Sequence, residues 1–309
     1  MTAAPAPLPS GIAAHVASYG GTRWLDTLPE LLAGLCARWG LEPGRPFTGG
    51  SCSWAAPVRT ADGAHAVLKV SWPHRESRGE AAALRHWAGD GAIRVLAESA
   101  ADSAMLLEAC DPGTKLRDHD SPAEERLVRA ARLLSGLHGR EPRAGLGLER
   151  IVDVMDEWAE LVVRRMAEFR PGYDPHLVAA AVELLRGLPR SAGREVVVHG
   201  DFNPGNVLAA RRMPWLAIDP KPMTGDPGYD PCPLVMQVDP PMRHPEPDKV
   251  ARHRFGLVAD IMGEPADRLA AWAFARLVES AFDLLNVGRA ADAEAAIAKA
   301  RLLADQAGV

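Results

Sequence analysis

The spacing of apolar residues changes about one third of the way along the chain. Up to residue 110, short apolar runs bounded by turn residues predict strands at Ala66–Val70, Ile93–Glu98 and Ala104–Glu108. Two helices are predicted between and before them. In Thr27–Trp39, apolar residues recur at three- and four-residue steps, and a second helix is expected over Arg78–Trp87. Residues 1–110 are therefore expected to form a small β-rich lobe.

The segment before the first helix has a different composition. Residues 1–26 begin with a stretch rich in Pro and Ala, and we expect an arm that runs into a short segment.

After a break at Asp111–Gly113 the pattern is mostly helical. One apolar stripe runs along residues 127–137, and a short β-rich island interrupts the helices between 196 and 218. We predict an α+β fold with two lobes, 1–110 and 111–309, because a Rossmann sheet would alternate strand and helix throughout. The other predicted helices cover residues 152–166, 177–188, 249–261, 266–285 and 291–304.

Composition narrows the class of protein. The chain carries 35 Lys+Arg and 40 Asp+Glu, a net charge of −5, so we expect no nucleic-acid partner. We expect no membrane span either, since no uncharged apolar run approaches the ~18–20 residues that one requires. The four cysteines are far apart in sequence and are expected to be reduced. A cytoplasmic monomer is the expectation.

The most informative chemistry lies in residues 198–220. Asp201 is followed five residues later by Asn206, and Asp219 comes after an apolar strand. Phosphoryl transfer from ATP to a hydroxyl needs one carboxylate to accept the proton, and a carboxylate and an amide oxygen to hold Mg²⁺. This set of residues therefore predicts a kinase site.

The order of these residues matches the kinase catalytic loop H-x-D-x-x-x-x-N and its downstream metal-binding Asp. Gly200 stands where protein kinases have Arg, and Ile218-Asp219-Pro220 replaces D-F-G. Both departures are the form seen in small-molecule kinases. The alternative interpretation is an incidental turn in which Asn206 is a cap.

The first lobe offers a second test of this interpretation. Kinases need a Lys on the third strand for the ATP phosphates and a Glu on the next helix to orient it. Lys69 lies inside an apolar strand, and Glu80 follows eleven residues later in the predicted helix. Glu76 is the competing candidate one turn earlier.

Two backbone segments complete the expected nucleotide site. The loop Gly49-Gly50-Ser51 could present amide groups to the phosphates, although a plain hairpin turn is nearly as good an interpretation. The connection between the lobes would bond the adenine edge through its backbone from Glu108 to Cys110.

Together these residues resemble the aminoglycoside phosphotransferase-like small-molecule kinases, closest to the streptomycin and hydroxyurea phosphotransferase group. The specific part is residues 199–230, HGDFNPGNVLAARRMPWLAIDPKPMTGDPGYD. The resemblance implies a two-lobed protein-kinase-like fold, ATP and Mg²⁺. It implies that Asp201 is the catalytic base, that Asn206 and Asp219 hold Mg²⁺, and that Lys69 holds phosphates. It also implies that His199 only positions the loop.

The acceptor would be a small molecule bound by the helical lobe. Streptomycin carries two guanidinium groups, which carboxylates bind in bidentate fashion. A solvated acidic face is the default interpretation for Glu279 and Asp283, and Asp230 would more naturally cap the following helix or tie down the catalytic loop. The four candidate carboxylates are Asp226, Asp230, Glu279 and Asp283.

Three alternatives remain open from the sequence. The acceptor could be hydroxyurea or an endogenous amino alcohol or sugar. A nucleotide-binding pseudokinase is a second class, disfavoured because Lys69, Asp201, Asn206 and Asp219 are all present. A metal-dependent hydrolase using His199 and Asp201 would need further ligands at metal spacing.

Overall fold

The computed structural model describes residues 9–18, 20–48, 50 and 52–309. The segment expected to be an arm before Thr27 is largely helical in its described part, because helix α1 covers Ser10–Ser18 and helix α2 begins at Thr22 and ends at Trp39. Ile12 and Val16 lie four residues apart and are fully buried, so α1 packs by one face. The Pro/Ala-rich composition did not reveal this apolar pair.

The small lobe contains a five-stranded antiparallel sheet with strand order β1-β2-β3-β5-β4. Helix α3, Glu80–Trp87, lies between β3 and β4 in the chain, as predicted. The strands cover Glu42–Pro43 (β1), Ser53–Arg59 (β2), His65–Ser71 (β3), Val95–Ser99 (β4) and Ala104–Glu108 (β5).

Alternation along the strands divides the buried residues between two cores. In β5, Ala104 and Leu106 pack in a small cluster with α2, whereas Met105 and Leu107 belong to the main core. The same alternation in β3 places Leu68 in the small cluster and turns Lys69 to the opposite face of the sheet. Lys69 therefore lies on the face that carries α3 and the large lobe.

The large lobe is built around a buried helix, α9. Its residues Trp272, Phe274 and Phe282 have no exposed surface, and it packs against α5, α6, α8 and α10. The helices of this lobe cover Ala123–His138 (α4), Ile151–Phe169 (α5), Pro175–Arg190 (α6), Pro231–Gln237 (α7), Pro247–Met262 (α8), Ala266–Asn286 (α9) and Ala290–Ala307 (α10).

Two three-stranded sheets of the large lobe carry the predicted β-rich island. One has the order β10-β9-β6 and the other β7-β11-β8. Because β6 begins within the segment Asp111–Gly113 and pairs with β9, the chain joins the large lobe directly after the small-lobe sheet. The strands are Pro112–Lys115 (β6), Glu149–Arg150 (β7), Val196–Val198 (β8), Val207–Ala210 (β9), Trp215–Ala217 (β10) and Met223–Gly225 (β11).

The main core is continuous across both lobes. Trp87 of α3 and Met105 of β5 belong to the same cluster as the residues of α4 and α9. Within the described part of the chain, no helix is both long and apolar enough to cross a membrane. The four cysteines all lie in that part, and none forms a disulfide.

Candidate active site

The loop that carries Asp201 begins directly after the buried strand β8. Gly200 has φ +81°, and a Cβ atom there would lie 1.9 Å from the carbonyl oxygen of Lys221. A side chain would collide with this backbone, so the position requires glycine. The Arg that protein kinases have at this point of the motif would not fit on this backbone.

His199 holds this loop from inside the protein. Its side chain is completely buried, Nε2 lies 3.0 Å from the carbonyl oxygen of Ile218, and the amide of Asp201 donates to Nδ1 at 3.4 Å. Burial lowers the pKa of His199, so the ring is neutral and donates from Nε2. The imidazole also stacks on Trp87 and meets the edge of Phe202. Through these contacts His199 positions the loop that carries Asp201.

Asp230 anchors the same loop by its backbone. Its buried carboxylate accepts the amides of His199 and Gly200, each at 2.7 Å, and also contacts His138 Nε2 at 2.8 Å. Burial alone would raise the pKa of Asp230, but the contact with His138 and the hydrogen bond from the His199 amide outweigh burial, so the pKa of Asp230 is lowered. The Asp230 carboxylate is therefore completely buried and bonded to groups of the protein itself. This corrects its candidacy as an acceptor ligand and agrees with the alternative interpretation, that it ties down the loop.

Asp226 is also unavailable to a ligand. Its carboxylate is 1% exposed and receives hydrogen bonds from Arg268 Nε at 2.9 Å, Trp272 Nε1 at 2.6 Å and the amide of Gly228 at 2.9 Å. Its prediction as an acceptor ligand is thereby corrected. The sequence could not show this, because Arg268 and Trp272 are more than forty positions away.

Asp201 is held by two asparagine side chains. Asn203 Nδ2 donates to its Oδ1 at 3.0 Å, and Asn206 Nδ2 donates to its main-chain oxygen at 3.0 Å and to Oδ2 at 3.2 Å. The loop closes on itself, since the Asn206 amide donates to the Asn203 carbonyl at 2.9 Å. The carboxylate is thus fixed in direction while its side chain remains partly exposed.

Asp219 lies two residues beyond β10 in a left-handed backbone conformation, with φ +57°. A non-glycine residue in this region costs of order 1–3 kcal/mol, and such strain is concentrated at functional sites. The adjacent Ile218 amide donates to the Asn206 carbonyl at 2.9 Å, which ties the segments that carry the two expected metal ligands. The Asp219 side chain is 50% exposed.

Lys69 connects the two lobes electrostatically. Its ammonium group lies 2.7 Å from both carboxylate oxygens of Glu80 and 2.6 Å from Oδ1 of Asp219. The Lys69 ammonium is the main cause of the lowered pKa of Asp219. Burial opposes the charge on Lys69, but the two carboxylates outweigh burial and raise its pKa. The predicted Lys69–Glu80 ion pair is therefore present, whereas the side chain of Glu76 lies outside the described structure.

Other predicted nucleotide contacts are placed less directly. Gly50 is exposed, and a Cβ there would lie 2.8 Å from the Ser53 carbonyl oxygen, whereas Gly49 and Ser51 are outside the described residues. Glu108 ends β5, and its amide donates to the carbonyl of Arg94 at 2.9 Å. Cys110 is partly exposed just beyond it.

The remaining acceptor candidates lie on α9. Glu279 is partly exposed and interacts with other groups of the protein. Asp283 is exposed and forms an ion pair with Arg165 of α5 at 3.4 Å. The structure therefore keeps these two carboxylates at the surface, unlike Asp226 and Asp230.

Sequence reasoning missed Arg276, another residue of α9. Its guanidinium donates to the Tyr229 carbonyl at 2.8 Å and to the Gly200 carbonyl at 3.4 Å, and lies 3.9 Å from the centre of the Tyr229 ring. It supports the catalytic loop from the helix behind it. An isolated Arg in a helix gives no sequence signal for such a role.

The residues around Asp219 fit a magnesium ion. The amide nitrogen of Asn206 faces Asp201, which turns its oxygen away from that carboxylate, and the Asp219 carboxylate is half exposed. Amide and carboxylate oxygens are the ligands that Mg²⁺ takes beside phosphates and water. Among the described residues, no group of three or more His, Cys, Asp or Glu side chains is placed to hold a metal ion, which the hydrolase alternative would need.

The arrangement of the two lobes occurs in a solved kinase. The structure of spectinomycin phosphotransferase in complex with ADP and spectinomycin has a TM-score of 0.55 at 11% identity, covering 89% of this chain and 93% of that one. The predicted protein-kinase-like fold is therefore confirmed. With this fold and its sequence relatives, the protein is a small-molecule kinase.

The chain belongs to the aminoglycoside/hydroxyurea antibiotic resistance kinase family, whose model matches residues 38–288. It is similar to the streptomycin 6-kinase of Streptomyces glaucescens, 34% identical over 96% of both chains. It is also similar to the hydroxyurea phosphotransferase of Kitasatospora aureofaciens, 33% identical over 94% of this chain and 84% of that one. The family resemblance drawn from residues 199–230 is confirmed.

Proposed function

We propose that the protein transfers the terminal phosphoryl group of ATP to a hydroxyl group of streptomycin and thereby inactivates it. The observation that carries the proposal is the placement of Asp201, Asn206, Asp219 and Lys69 around one site where the lobes meet. Support for the acceptor comes from the streptomycin 6-kinase relative, which matches this chain over almost its whole length.

In this mechanism the acceptor oxygen attacks the γ-phosphorus, the bond to the ADP oxygen breaks, and the acceptor proton passes to Asp201. Asn203 and Asn206 orient the carboxylate toward the incoming hydroxyl, so that part of the entropy of alignment is removed before the reaction. Lys69, oriented by Glu80, would hold the ATP phosphates.

A bound Mg²⁺ would neutralise charge on the phosphates, and Asn206 and Asp219 are the residues that would hold it. The adenine of ATP would lie against the backbone between Glu108 and Cys110. Gly50 would lie close to the phosphates.

The acceptor would approach from the helical lobe. Streptomycin is cationic, and we assign Glu279 and Asp283 of α9 to its guanidinium groups. Asp283 would exchange its surface contact with Arg165 for the ligand. Hydroxyurea is the second candidate acceptor, because its phosphotransferase is similar to this chain at nearly the same identity.

The test is incubation of the purified protein with Mg·ATP and each acceptor, followed by mass spectrometry for the added phosphoryl group. We expect phosphorylated streptomycin at the position that fragmentation or NMR identifies as the 6-hydroxyl. Asp201→Asn is the matched inactive control. Phosphorylated hydroxyurea with no streptomycin product would replace the acceptor, and no product with any hydroxyl compound would reject the function.

A further inference from the structure

The turn between β9 and β10 holds the connection between the two lobes. Arg212 lies in this turn, and its guanidinium forms a two-point contact with the carboxylate of Glu108. Nε donates to Oε1 at 2.8 Å and Nη2 to Oε2 at 3.0 Å. Both side chains are largely buried, with 24% and 19% of their surface exposed. A paired fork of this kind fixes direction as well as distance.

Arg212 also binds a third segment, the loop between α3 and β4. It donates to the carbonyl oxygen of Ala92 at 3.1 Å and to that of Gly89. The amide of Arg94 in turn donates to Glu108 Oε2 at 3.0 Å. The side chain of Glu108 is therefore engaged from both lobes, and its position is set by Arg212 and the neighbouring backbone.

The other end of the same hairpin carries the expected metal ligands. Asn206 directly precedes β9 and Asp219 follows β10 by two residues, and the strands pair from Val207 with Ala217 to Ala209 with Trp215. Four residues of strand extend about 14 Å. One short, hydrogen-bonded hairpin thus runs from the metal-binding end of the site to the connection that would bind the base.

We propose that Arg212 is a positioning residue that fixes the backbone of residues 108–110, which connects the two lobes, relative to Asn206 and Asp219. The adenine and the phosphates of one nucleotide would then bind at the correct distance from each other. The inference rests on the proposed nucleotide site. Arg212 would contact no substrate itself and would act on the nucleotide site through Glu108.

The experiment compares Arg212→Gln with Arg211→Gln in the full-length protein. Arg211 is the adjacent residue in the same turn, and its ion pair with Asp111 is exposed, with side chains 82% and 64% accessible. An exposed pair contributes little, so this variant controls for loss of one charge from the turn. ADP affinity is measured by calorimetry, and KM for ATP and for the acceptor by initial rates.

For Arg212→Gln we expect ADP to bind at least fivefold more weakly and kcat/KM for ATP to fall about 10- to 100-fold, the scale of an ångström-sized misplacement. The KM for the acceptor should stay unchanged. Arg212→Lys should recover only part of the loss, because an ammonium cannot reproduce the fork. Arg211→Gln should match the wild type within about twofold.

A merely structural role would give a different result. It would reduce the fraction of protein that binds ADP, seen in the calorimetric stoichiometry, while KM for ATP stayed at the wild-type value. That outcome, or equal ADP affinity in Arg212→Gln and Arg211→Gln, would overturn the proposal. If the wild type bound neither ADP nor ATP, the proposed function would fail and this inference with it. Normal ADP binding without acceptor phosphorylation would reject only the acceptor.

Discussion

The ammonium nitrogen of Lys69 lies 2.6 Å from Oδ1 of Asp219, although 150 positions separate the two residues in the chain. One residue comes from the third strand of the small lobe and the other from the end of a hairpin in the large lobe. Lys69 also pairs with Glu80, so its ammonium group contacts two carboxylates at once. The contact places the expected phosphate-binding and metal-binding groups at one point between the lobes.

The first prediction concerns Lys69 itself. Lys69→Met should raise the KM for ATP and lower kcat, since the phosphates lose their cation, while the KM for the acceptor stays constant. The pKa of Asp219 should rise toward its ordinary value, because Lys69 is the main cause of its lowering. We would measure the carboxylate titration by NMR. Glu80→Gln keeps the lysine and should have a smaller effect on Asp219, so an equal effect would contradict this account.

Asp201→Asn should leave ADP binding and thermal stability close to wild type and reduce kcat by about 10²–10⁴-fold, the usual contribution of a general base. The amide keeps the size of the side chain but cannot accept the acceptor proton. Steady-state rates and ADP calorimetry would show the difference. Turnover within a few-fold of wild type would exclude Asp201 as the base.

The buried and exposed carboxylates should behave in opposite ways. Asp226→Ala leaves Arg268 and Trp272 without their buried partner and should lower the free energy of unfolding by about 3–5 kcal/mol. The protein that remains folded should keep the wild-type KM for streptomycin. Denaturant unfolding and initial rates at low temperature measure the two effects separately.

The double substitution Glu279→Gln/Asp283→Asn is the matched test on the exposed side of α9. Stability should change by less than about 1 kcal/mol, since exposed charges contribute little. The KM for streptomycin should rise, more at low salt than at high salt, because screening weakens the interaction in the wild type as salt increases. A streptomycin KM that does not change at any salt concentration would remove both residues from the acceptor site.

Cys110 gives a prediction about reactivity. Burial and the nearby carboxylate of Glu108 raise the pKa of its thiol to about 11. A raised thiol pKa means less thiolate at neutral pH, so alkylation at pH 8 should be slow for a partly exposed cysteine and should accelerate as the pH approaches 11. Peptide mass spectrometry after timed alkylation would follow Cys110 alone. ADP should slow the alkylation of Cys110 further if its adenine lies against this backbone. Alkylation at pH 8 as fast as that of a free cysteine would contradict the raised pKa of the thiol.

Much of the site was predictable because its signals are local in the sequence. Asp201 and Asn206 belong to one closed loop, so their spacing alone brings them together. Lys69 stood out as a charge inside an apolar strand, and Glu80 followed eleven residues later in the predicted helix, with Glu76 as its competitor. The kinase-like fold and the family followed from these same residues, and both are confirmed.

Only the tertiary structure decided which carboxylates are available. Asp226, Asp230, Glu279 and Asp283 look alike in the sequence, yet two are buried among hydrogen-bond donors and two lie at the surface. Their donors, such as His138 and Trp272, come from helices far away in the chain. The same holds for Arg212 and Glu108, 104 positions apart. Local patterns fix the backbone and the spacing within a loop, whereas burial and charge pairing depend on which distant segments the packed core brings into contact.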